Sequence, residues 1–164
     1  MKRILNLTVL TVTAFVLLGT VSVMAIQRPF ALNGQGVATF IIGEGGIPTG
    51  ASVTSSGNAT HLGLCTTVGT VQSTPANDPE HPGRLLSSGS GTITAANGDT
   101  VLIEFNGVLD PPPPGSTTGI DKPSFRFVGG TGRFASASGS AEAVVVVNLA
   151  TGAFEITMVG DIDY

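Results

Sequence analysis

The stretch Gly129-Gly130-Thr131-Gly132-Arg133-Phe134-Ala135 sits between two apolar segments and decides the reading of the fold. Phe125 and Phe127 lead into it, and Val144 to Val147 follow. Three glycines in four positions allow positive φ and a backbone approach that a side chain would block. Arg133 and Phe134 then supply one charged tip and one large apolar anchor. Gly129, Gly130, Gly132, Arg133 and Phe134 therefore read as a structural corner of a β-barrel. Arg133 is expected on local carbonyls or a carboxylate, and Phe134 is expected to cap the barrel end.

Working outward, the pattern is one of strands. Helical period is nearly missing after residue 25, β-branched residues and glycine dominate, and Pro and Gly punctuate at short intervals. Strands are expected over 31–42, 51–59, 62–73, 84–95, 100–109, 124–128, 138–148 and 153–162. Asn97-Gly98 reads as a type I′ hairpin turn and Thr151-Gly152 as a second tight turn. Eight strands of this length predict an all-β, eight-stranded antiparallel closed barrel, which leaves no exposed sheet edge. Two proline-rich stretches, TPANDPEHP over 74–82 and DPPPPGSTTG over 110–119, are expected as exposed loops outside any ladder. The second should be a short stiff polyproline run.

Faces are clearest near the C-terminus. Val101, Ile103, Phe105 and Leu109 point one way and Glu104 and Asn106 the other. Phe125 and Phe127 oppose Arg126, and Phe154, Ile156 and Met158 oppose Glu155 and Thr157. The apolar faces should line a common interior. Phe105, Phe125, Phe127, Phe154 and Met158 are the candidate ligand-binding residues, and the glycine-rich middle strands fill little of the space between them.

Residues 1–25 read as an export signal and residues 26–164 as one barrel domain. Lys2 and Arg3 precede an apolar run over 4–23, and Val23-Met24-Ala25 has the small residues that signal peptidase needs. The expected location is secreted, periplasmic or extracellular, with no membrane association once the signal is removed. The formal charge of −4 becomes two units more negative without Lys2 and Arg3. No basic stripe with interleaved aromatics exists, which argues against nucleic acid. Cys65 is the single cysteine, so no internal disulfide can form, and a small buried thiol is the economical reading.

Chemistry-bearing motifs are sparse. His61 and His81 are too isolated for a zinc site, and His61 reads as a hydrogen-bonded structural histidine. Asp78, Glu80, Asp110 and Asp121 are loop carboxylates without the alternation of a calcium loop. Neither a nucleophile elbow nor a phosphate-cradling loop occurs, so no catalytic residue, metal or cofactor is assigned. One constellation would support acid–base work: Glu104, Arg126 and Glu155, were their faces to point inward.

Extended through Ser136-Ala137-Ser138-Gly139, the corner stretch resembles the GGTGRF-x-x-A-x-G segment of allene oxide cyclase-like and dirigent-like barrels. Asn58-Ala59-Thr60-His61-Leu62-Gly63 is similar to a pattern of uncharacterised secreted bacterial members of that group. The hairpin at Thr94-Ala95-Ala96-Asn97-Gly98-Asp99 and the ending Gly160-Asp161-Ile162-Asp163-Tyr164 fit the same pattern. The resemblance implies a calycin-like barrel with a lumen suited to an apolar ligand, and dimers or trimers in some members. It transfers no catalytic position. The leading expectation is a binding module for a small hydrophobic molecule. The alternatives are an isomerase or cyclase of the allene oxide cyclase type, and an exported structural or surface domain with a filled barrel.

Overall fold

The computed structural model describes residues 26–164. The export signal expected over 1–25 lies outside the described residues. The chain forms nine strands: β1 (Arg28–Ile42), β2 (Pro48–Ala59), β3 (Gly63–Pro75), β4 (Leu85–Ala95), β5 (Thr100–Asp110), β6 (Thr118–Asp121), β7 (Ser124–Gly130), β8 (Ser138–Asn148) and β9 (Ala153–Asp163). Two single-turn 3₁₀ segments, Glu44–Gly46 and Gly132–Phe134, are the helical content among the described residues.

All pairings are antiparallel, and β9 returns to β1 to close an eight-stranded barrel. The short β6 is the strand beyond the eight. It pairs with the end of β5 and with β8, while β7 pairs with the same two strands further along. The register against β8 is the same for β6 and β7, so they run as one line interrupted at Lys122-Pro123. Pro123 has no N–H to donate, although its carbonyl still accepts from Ala143 N–H at 2.9 Å.

Three expectations need correction. The 110–119 stretch is not wholly outside the sheet, because Asp110, Thr118 and Gly119 enter ladders. The 74–82 stretch likewise begins inside β3, where Thr74 and Pro75 pair with Leu86 and Leu85. Pro75 is tolerated because it is the last residue of its strand, where a missing donor interrupts nothing further. The Asn97-Gly98 turn is not type I′. Only Gly98 has positive φ there, and Gly98 N–H bonds the Ala95 carbonyl while Ala95 N–H bonds Asp99. That is a type I turn completed by a left-handed glycine. At the other tight turn, Gly152 takes positive φ and donates to the Asn148 carbonyl at 2.7 Å.

Side chains alternate in and out around the barrel as the pleat requires. The half carrying the β4–β5 turn and the Gly129–Phe134 corner is solid. Phe30, Val101, Phe127, Phe134, Met158 and Ile162 pack there, none more than 3% exposed. Each such side chain contributes on the order of 2 kcal/mol of transfer free energy. The opposite half carries the two proline loops, and its inward residues Phe40, Val53, Val71, Leu109 and Phe154 are only half-buried. The barrel is therefore plugged at the corner end and hollow at the loop end.

Candidate functional site

The corner forms the plug. Gly130 lies so close to the Thr100 carbonyl that a Cβ would collide with it. Phe134 is fully buried against the Tyr164 ring at 4.6 Å, capping the lumen. Arg133 donates to the His61 carbonyl and lies over the Phe134 ring at 4.8 Å. His61 Nε2 bonds the Pro29 carbonyl at 3.0 Å and its ring faces Tyr164, not Cys65. Cys65 is buried in the plugged half, and burial pushes its thiol up from the ordinary value. All of these side chains hold the barrel end shut.

The site with room for a ligand is the lumen on the loop side. A partly open apolar cavity of about 140 Å³ lies there. Phe105, Phe125, Phe154 and Met158 border it, with Phe105 and Phe125 rings 5.1 Å apart. Phe127 does not. It sits deeper, edge-on to Phe30 at 4.9 Å, as part of the plug. The cause is the tilt and stagger of the strands, which put consecutive inward positions at different heights in the barrel.

Sequence reasoning missed the polar group of this lumen. Asp121 lines the cavity from β6 instead of occupying a surface loop. Ser87 Oγ donates to both of its carboxylate oxygens, at 3.0 and 3.2 Å. Space for the pair comes from Gly107, where a Cβ would stand 2.6 Å from Asp121 Oδ1 and 2.7 Å from Ser87 Oγ. Burial raises the Asp121 carboxyl above its ordinary value, the Ser87 and backbone hydrogen bonds oppose this, and nearby Asp110 adds to the rise. The signal was available: Asp121 shares parity with Phe125 and Phe127, so a line of strand carried back through Pro123 points it inward.

The other carboxylates are elsewhere. Arg84 bonds Asp110 at 2.8 Å and Asp78 at 3.0 Å, and Asp78 also meets His81 at 2.9 Å. This network straps the two proline loops together beside the lumen mouth. The His81 hydrogen bond, chiefly, holds the Asp78 carboxyl below its ordinary value. Among the described residues no group of His, Cys, Asp and Glu is placed to hold a metal.

Glu104, Arg126 and Glu155 are all exposed on the outer face. Glu104 and Arg126 are cross-strand neighbours, whereas Glu155 lies opposite Gln35 and Val146 on another side of the barrel. The acid–base constellation is thus not assembled, because its members follow the outward parity of their strands. A broader groove of about 870 Å³ crosses the outer surface, edged by Asn33, Gln35, Ser56, Thr66 and Glu155. Leu64, Ala95 and Ile156 add apolar wall to it, but it lies open along the surface and would surround a small ligand less fully than the lumen, which is the better candidate.

Comparison of the chain with protein-family models, curated proteins and solved structures finds no match. The site is accordingly argued from its own geometry.

Proposed function

We propose that this protein is an exported barrel that binds a small hydrophobic molecule in its lumen. The observation that carries the reading is the partly open 140 Å³ apolar cavity in the loop-side half, next to a solid plug. A dry cavity of about 150 Å³ lined by aliphatic and aromatic groups is large enough for benzene. Longer ligands would extend past Phe40 and Phe154 toward the mouth. Export is supported by Lys2, Arg3, the apolar run and Val23-Met24-Ala25. Kinship with allene oxide cyclase-like and dirigent-like barrels belongs to the same proposal, supported by the Gly129–Phe134 corner and the barrel closure.

Titration with toluene, followed by NMR of the Ile103 and Met158 methyls, tests the reading. Saturable shifts at those methyls are expected in the wild type. They should vanish in Val53→Phe, which fills the cavity from β2. Shifts confined to the outward Val68 and Leu102, or none up to the solubility of toluene, overturn it.

A further inference from the structure

We propose that the lumen selects a compact apolar amine, with its hydrocarbon part among Phe105, Phe125 and Met158 and its ammonium on the Asp121 carboxylate. The inference rests on the lumen-binding reading and adds to it the chemistry of the ligand's polar end.

The argument starts from what lines the cavity. Its inward polar groups are the hydroxyls of Ser55, Thr67, Ser73 and Ser87, plus one charged side chain, Asp121. No cation among the described residues answers that charge from within. Arg84, the guanidinium at this end of the barrel, is held by Asp78 and Asp110. Lys122 is exposed and has the opposite strand parity. Ser87 supplies a single hydroxyl proton shared between two oxygens, and the backbones of Lys122 and Val108 add one hydrogen bond each, three donors in all. An ionised carboxylate has about four acceptor positions, so capacity is left over toward the lumen.

The chain also keeps this carboxylate at a cost. Gly107 gives up a side chain on an inward face, and Pro123 breaks the β6–β7 line beside it. A barrel built only to be filled would place an aliphatic residue at 121, where burial is favourable without a partner. A ligand cation answers the unpaired charge, a neutral hydrocarbon leaves it unanswered, and an anion is repelled by it. Groups facing Asp121 are Ser87 on β4, Leu109 and Asp110 on β5, and Val145 on β8, with Arg84 beyond Asp110. None supplies a free positive charge.

Benzylamine and toluene, matched in their hydrocarbon part, test the proposal by titration at about pH 8 on wild type and Asp121→Asn. Asn keeps an acceptor for Ser87, and its toluene affinity reports whether the lumen is intact. Benzylamine should bind the wild type about tenfold or more tighter than toluene, as a charge-assisted hydrogen bond provides. That preference should disappear in Asp121→Asn while toluene affinity stays. A second readout needs no variant: carbon NMR of the Asp121 carboxyl in wild type should move to lower titration pH with benzylamine and not with toluene. Toluene binding as well as benzylamine, a preference that survives in Asp121→Asn, or an unmoved carboxyl titration overturns the amine proposal and leaves lumen binding standing. If neither probe binds, both readings fall together.

Discussion

At the residue scale, Asp121 is where stability and the proposed function pull apart. Its folded-state carboxyl titrates above the unfolded value because burial disfavours the anion. Between those two values the folded chain binds more protons than the unfolded one, so stability falls as pH rises through that window. Asp121→Asn removes the titration and retains an acceptor for Ser87. Urea unfolding should therefore find the variant more stable than wild type at about pH 8, with the difference closing below about pH 4. An equal gap at both values would mean that Asp121 is solvated in the folded protein. Asp78 acts with the opposite sign: its lowered carboxyl favours the folded state above the ordinary value, and that contribution fades as pH falls. Flanking prolines explain why Asp121 was misplaced from sequence although its parity points inward. A proline two residues on and four prolines upstream mask a four-residue strand that has no apolar alternation of its own.

At the element scale, the two ends of the barrel should respond differently to the loss of a ring. Phe134 is fully buried in the 3₁₀ turn and fills the plug, so Phe134→Ala should destabilise by about 3–5 kcal/mol. Phe154 is half-buried at the start of β9 beside the cavity, and Phe154→Ala should cost only about 1–2 kcal/mol. Denaturant midpoints for the two variants check the asymmetry, and equal losses would contradict a hollow loop end. The proline loops present a separate case. Arg84 ties Asp78 to Asp110 across both, with all three side chains partly exposed. Arg84→Ala should lower stability by no more than about 1 kcal/mol. Hydrogen exchange over 76–84 and 111–117 should nonetheless quicken, because the strap is the main polar tie between these loops. The strands themselves were legible because Val101, Ile103 and Phe105, or Phe154, Ile156 and Met158, alternate without interruption. Their ends were less so: β1 starts at Arg28 and β2 at Pro48, since a first strand residue needs neither an apolar side chain nor a donor.

At the scale of the whole molecule, closure divides one continuous apolar interior into a plug and a chamber. Large rings and branched chains converge at the corner end, while Ala38, Ala51, Gly69 and Gly91 leave space further along. A ligand that enters this chamber binds the folded barrel alone. At about one hundred times its dissociation constant it should raise unfolding free energy by about 2.7 kcal/mol. Thermal unfolding with saturating toluene would read this as a rise in midpoint for wild type and none for Val53→Phe. A rise of equal size in both would place the hydrocarbon outside the lumen.

The linear chain determined the all-β class, the inward faces of the long strands and the corner at Gly129–Phe134. Those features are written in period-two alternation and in glycines whose backbone demands are local. Closure alone decided that Phe127 seals while Phe105 and Phe125 border space, that Glu155 lies away from the Glu104–Arg126 pair, and that the inward side of Asp121 opens on a cavity. Height within a barrel depends on strand tilt and on register across residues distant in sequence, and neither is recorded in the spacing of a single strand.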